Sequence, residues 1–157
     1  MKKLLSFGAV PLLLLLSTVV SSAQASGASA GVQDRLFGAW HLLWLEESDA
    51  EGKIHKADCT GLLVYTRDGH MSVQLMYRTV PGGSAAAPVQ YAQGGYEASF
   101  GRYEVNDAHT FTFHVDGALV RTLVGKDLKR LYELSGNQLI VRSPDPNEHW
   151  SVAWEHY

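Results

Sequence analysis

The sequence predicts an all-β domain: one eight-stranded antiparallel up-and-down barrel, with a short helix or lid segment between its third and fourth strands. Three observations predict it. From Leu36 onward apolar residues return at every second position, the period of a strand with one buried face. Turn-forming clusters interrupt that alternation at short intervals, among them Arg67-Asp68-Gly69, Asn106-Asp107-Ala108, Ser135-Gly136-Asn137 and Pro144-Asp145-Pro146-Asn147. No long stretch of the domain fits a helix. Consecutive hairpins imply an antiparallel sheet, and eight strands close well into a small barrel that leaves no exposed edge. A two-sheet sandwich satisfies the same alternation and is the alternative architecture.

In chain order, Met1-Lys2-Lys3, the apolar run from Leu4 to Val20 and the site Ser21-Ser22-Ala23-Gln24-Ala25 have the three-part build of a secretory signal peptide, cleaved after Ala25. The run is short for a membrane span and is interrupted by Pro11, so no membrane insertion is expected once residues 1–25 are removed. Ser26 stands where a lipoprotein would carry its acylated cysteine. The implied localisation is exported, periplasmic or secreted. Residues 26–35 read as a flexible lead, with a helical turn over Gln33 to Phe37, and residues 36–157 as the barrel.

Of 157 residues, those after the leader suffice for one modest core and are too few for two. The formal net charge is −3, and loss of Lys2 and Lys3 with the leader makes the remainder more acidic. Without a basic cluster, nucleic acid and anionic membrane surfaces are poor partners. Cys59 is the single cysteine, so no internal disulfide forms. No histidine accompanies it in a cysteine-enzyme pattern, and it reads as a small apolar residue rather than a nucleophile.

The expected strands are 37–47, 60–66, 70–77, 101–106, 109–117, 127–134, 138–143 and 149–156. The first sets Trp40, Leu42 and Trp44 in one inward row. In the third, Met71, Val73 and Leu75 alternate with His70, Ser72, Gln74 and Met76. The sixth places Leu128, Arg130, Tyr132 and Leu134 on one face, so a guanidinium points with the apolar row and needs partners there. Between the third and fourth strands, residues 78–99 form a Gly, Ala and Pro-rich segment longer than a hairpin needs, as functional loops often are. Val89, Ala92, Tyr96 and Phe100 fall near helical spacing, which suggests a short helix across a barrel mouth, weakened by Gly94 and Gly95.

Phe37-Gly38-Ala39-Trp40 is a Gly-x-Trp signature heading a long amphipathic strand. With GLLVYTRDGHMSVQLM, FGRYEV, FHVDGALV, LVGKDLKRLYEL and QLIVRSP behind it, the chain from Leu36 to Trp154 resembles the bacterial lipocalin-like domain family within the calycin barrels. The resemblance implies a small antiparallel barrel with an internal cavity for a small apolar molecule. It also implies a structural signature of Gly38, Trp40 and Arg130, in which the arginine stacks on the indole and meets backbone carbonyls at the closed end. The alternative role for Arg130 is an anchor for a ligand carboxylate. Residues 78–99 depart from the family in being shorter and richer in glycine.

The expected ligand-binding residues are Trp44, Tyr65, Gln74, Met76, Tyr96, Tyr103 and Tyr132. A phenol joins a large apolar body to one hydrogen-bonding tip, which suits such a cavity, although core packing explains these tyrosines nearly as well. Gln74 and Met76 enter through the resemblance, which places their strand in the cavity wall. No catalytic residue is expected: His70 and Ser72 share a face, but no third orienting group or oxyanion loop accompanies them. His114 shares a face with Thr110, Thr112 and Asp116 and is expected outside. Seven histidines show no zinc spacing, and neither a metal nor a cofactor is expected. The leading function is binding of a small hydrophobic molecule. The alternatives are an isomerase or cyclase of the same architecture and an interaction module with a filled core.

Overall fold

The first strand has two neighbours besides its own hairpin partner, and that closes the sheet. A computed structural model describes residues 31–49, 51–78 and 91–157. They form β1 (Gly38–Ser48), β2 (Ile54–Lys56), β3 (Cys59–Tyr65), β4 (His70–Tyr77), β5 (Tyr96–Val105), β6 (Thr110–Ala118), β7 (Asp127–Ser135), β8 (Gln138–Arg142) and β9 (Trp150–His156). All pairings between them are antiparallel, and β1 pairs with both β3 and β9. Eight strands therefore close into a barrel, which removes the sandwich alternative. The short β2 lies outside that count, paired to Glu46, Glu47 and Ser48 at the far end of β1. Among the described residues, no helix is long and apolar enough to cross a membrane. The expected signal peptide falls on residues outside those described.

One end of the barrel is plugged. Residues 31–36 are helical, so the last part of the expected flexible lead is ordered as a turn of helix, and Leu36 beneath the barrel is fully buried. The indole N–H of Trp40 donates to the Leu36 carbonyl at 2.8 Å, and the His156 ring meets the indole edge-on at 4.7 Å. Gly38 has φ 128°, and a Cβ on it would lie 2.3 Å from His156 Nε2. Only glycine fits the start of this strand, which is the physical content of the Gly-x-Trp signature.

Two bulges re-aim the walls. On β1 the register against β9 shifts between Leu42, opposite Trp154, and Trp44, opposite Ala153. Leu43 is the extra residue, and beyond it the inward parity passes to Leu45 and Glu47. Between β5 and β6 the register shifts after Phe100, where Gly101 runs so close to β6 that an added Cβ would lie 2.0 Å from the His114 carbonyl oxygen.

The expected helix over Ala92, Tyr96 and Phe100 does not form. Gly94 and Gly95 take φ 63° and 76°, making a turn bridged by Gln93 and Tyr96, and Tyr96 begins β5 five residues earlier than the expected 101. The rest of that expected lid, residues 79–90, lies outside the described residues.

Candidate functional site

Alternation on each strand sends large apolar side chains inward, and above the plug they do not fill the space between the walls. A cavity of about 280 Å³ remains. Its apolar wall includes Leu45, Leu63, Met71, Val73, Phe113 and Val152. Tyr65 lies at its floor, buried against Tyr103 with ring centroids 4.8 Å apart, and its hydroxyl has no hydrogen-bond partner among the described residues. Burial raises that phenol well above its ordinary pKa.

The half of the cavity away from the plug is polar. Glu47, brought inward by the Leu43 bulge, accepts a hydrogen bond from the Tyr77 hydroxyl at 2.7 Å. His55 of β2 approaches the other Glu47 oxygen at 3.7 Å. Glu148 accepts from the Trp150 indole N–H and from the Tyr91 hydroxyl, each at 3.1 Å. Arg130 enters from β7, its guanidinium carbon 5.0 Å from the Tyr91 ring centre and 5.1 Å from that of Trp150. One guanidinium N–H donates to the Lys129 carbonyl at 3.1 Å.

Glu97 completes this set. It follows the inward parity of Ser99, Gly101 and Tyr103 and lines the cavity. Among the described residues its carboxyl makes neither a hydrogen bond nor an ion pair. Burial pushes it up to about pKa 7, against the pull of the Arg130 charge. A carboxyl in this state is present in both protonation forms near neutrality, able to donate or to accept.

Residues 37–155 match the family described as a lipocalin-like domain. The chain belongs to that family. Among solved structures it is similar to a lipocalin-like protein from Bacteroides uniformis ATCC 8492, at 16% identity over 78% of this chain and 99% of the other, with a TM-score of 0.47. A redesigned beta barrel matches at 10% identity over 83% and 96% of the two chains, with a TM-score of 0.43. No curated protein matches it.

Within this lipocalin-like barrel the expected ligand residues separate into three groups. Tyr65 lines the cavity. Tyr103 and Tyr132 point inward but pack in the plugged half, where the Tyr132 hydroxyl donates to the Asp107 carbonyl at 2.9 Å. Trp44, Gln74, Met76 and Tyr96 are on the outside. Trp44 is turned out by the bulge and lies under Lys56 Nζ at 5.6 Å. Gln74 and Met76 occupy the parity opposite the buried Met71 and Leu75, and Tyr96, paired across from Met76, donates its hydroxyl to Gln74 at 3.2 Å.

Arg130 points inward as the alternation requires, but it does not stack on Trp40. Trp40 belongs to the plugged end with His156, whereas Arg130 lies in the cavity between Tyr91 and Trp150. His70 and Ser72 face outward, His70 beside Asp68 at 3.2 Å. His114 lies on the outer face, 2.7 Å from Asp127. Burial, with Glu47 and Asp58 nearby, pushes the Cys59 thiol up to about 11, which keeps it protonated and unreactive at neutral pH. Glu47, Glu97 and Glu148 were not anticipated as interior groups. The available signal was parity: counting back from Tyr103 through Gly101 and Ser99 reaches Glu97.

Proposed function

We propose that this lipocalin-like chain is an exported carrier that holds one small, mostly apolar molecule in its barrel. The observation that carries the reading is the cavity of about 280 Å³, walled by apolar side chains with a few polar groups in one half. Small-molecule sites have this composition, and their volumes begin at roughly 300 Å³, so the ligand is a small one. Export rests on the leader-like residues 1–25 and is tested by the mass of the protein recovered from outside the cytoplasm. Binding is tested by native mass spectrometry of the purified protein and by titration with an environment-sensitive apolar dye. Val73→Trp, which places an indole in the cavity, is expected to weaken the dye by roughly tenfold or more while leaving the unfolding midpoint near that of the wild type. Equal dye affinity in the filled variant would overturn the reading.

One observation favours the isomerase alternative: Glu97 is a cavity carboxyl poised near neutrality, as a proton-transferring group must be. Recovery of a co-purified compound chemically changed by wild type and unchanged by Glu97→Gln would select the enzyme over the carrier.

A further inference from the structure

Among the described residues four charged side chains reach the cavity, three carboxyls and one guanidinium, and two of the carboxyls already have donors from the protein. Glu47 from β1 has the Tyr77 hydroxyl of β4, and Glu148 has the Trp150 and Tyr91 donors. Glu97 and Arg130 remain. Glu97 has no partner among the described residues, and the guanidinium of Arg130 is held by the Tyr91 and Trp150 side chains, the Tyr91 hydroxyl included, and by one backbone carbonyl, none of them an anion. No salt bridge joins the two, although the Arg130 charge acts on Glu97 across the same space.

Other titratable groups on this space are His149, beside Glu148, and Tyr65 at the floor. From the neighbours of β5 in the sheet, β4 adds Tyr77 and β6 adds only apolar side chains such as Phe113. Among the described residues of the cavity, Arg130 is thus the one fixed positive charge, and Glu97 the one carboxyl left without a donor.

Three head groups could meet this pair. An amine would be drawn to the carboxyls but would place a like charge beside Arg130 and leave the guanidinium without an anion from the ligand. An alcohol would satisfy Glu97 but leave the guanidinium without an anion. A carboxylate pairs with the guanidinium, and Glu97 in its protonated form donates a hydrogen bond to it, so all three groups are satisfied at once.

Resting on the carrier reading above, we propose that Arg130 and Glu97 form the head-group subsite of the cavity, and that it takes a carboxylate on a short apolar chain, bound together with one proton. The cavity of about 280 Å³ lies at the small end of small-molecule sites, which suits a short chain such as octanoate. The apolar chain lies along Val73, Met71 and Phe113 toward Tyr65. Binding takes a proton from solvent onto Glu97, so affinity falls as pH rises through the range in which free Glu97 ionises.

The test is calorimetric titration of the full chain with octanoate, octan-1-ol and octylamine, at about pH 6 and about pH 8, in buffers of different ionisation enthalpy, which counts the protons taken up. Octanoate is expected to bind most tightly and octylamine most weakly. Octanoate affinity is expected to fall roughly tenfold between the two pH values, with close to one proton taken up at the higher one. In Glu97→Gln the pH dependence is expected to vanish while octanoate still binds. In Arg130→Met octanoate is expected to weaken roughly tenfold or more and octan-1-ol to be unaffected.

Octanoate binding that does not change with pH, or a preference for octylamine, overturns the inference. If octan-1-ol binds as tightly as octanoate, the carrier reading stands and the carboxylate subsite falls. If none of the three binds, both fall. Should Arg130→Met fail to fold, the pH response of Glu97→Gln still decides.

Discussion

The two halves of the barrel treat polar groups in opposite ways. At the plugged end the polar tips are tied mainly to the backbone: Trp40 to Leu36, Tyr132 to Asp107, and the His156 ring nitrogens against the carbonyls of Phe37 and Tyr157, with His41 Nδ1 left without a partner among the described residues. In the other half, among the described residues, Glu97 faces the cavity without a donor, and Arg130 is held by aromatic side chains and a backbone carbonyl rather than by an anion. A satisfied polar group costs little on burial, whereas an unsatisfied carboxyl disfavours the folded state whenever it is ionised. The plug therefore stabilises the fold, and the upper half gives up stability in a form that a ligand can restore.

The sharpest way to break this division is Trp40→Ala. Removing the largest buried side chain of the plug should cost about 3 to 5 kcal/mol in urea unfolding without changing which ligand the cavity prefers. A change in ligand preference larger than the change in stability would contradict the separation of the halves.

Glu97→Gln should do the reverse, and its sign follows from linkage. The folded-state pKa of about 7 lies above the ordinary value of 4.5, so the fold favours the protonated form. Stability from this group is complete below the ordinary value and is lost as pH rises through the folded one. The ligand-free variant should thus exceed the wild type by about 1 to 3 kcal/mol at alkaline pH and match it in acid. Parallel unfolding curves at both ends of that range check this, and equal stabilities in alkali would count against an unpaired Glu97.

A smaller effect is expected at the boundary. Tyr65→Phe removes a buried hydroxyl with no partner among the described residues and should stabilise the protein by about 1 kcal/mol, measured as a rise in the urea midpoint. Destabilisation would mean that the hydroxyl has an undetected partner. The smallest effect belongs to the outer face: Gln74→Ala and Met76→Ala should change stability by less than about 0.5 kcal/mol and leave ligand affinity unaltered. A loss of binding in either would return that face to the site.

The barrel itself was legible because period two and the turn clusters are local properties of the chain. What escaped depended on events at single residues or on closure. Leu42-Leu43-Trp44-Leu45 is apolar at every position, so nothing in it marks Leu43 as the extra residue, and the row starting at Trp40 reads straight on to Trp44. Glu97 escaped for two reasons. Gly94 and Gly95 obscure where β5 begins, and a carboxylate on a strand is normally assigned to solvent. The inward parity of Arg130 could be counted along β7, but its aromatic neighbours could not. Tyr91 and Trp150 come from segments 39 residues before it and 20 after it, brought together only by closure of the sheet.

The central claim is that the half of the barrel away from the plug receives a small molecule and the plugged half does not. Methyl-resolved NMR of the labelled full chain, titrated with octanoate, tests it most directly. The account predicts saturating shifts at Leu45, Val73 and Val141 in the cavity wall and unchanged signals from Leu36 and Leu139, which are fully buried in the plugged half. Shifts confined to outer methyls such as those of Leu43 and Leu131, or no shifts at all, would contradict it.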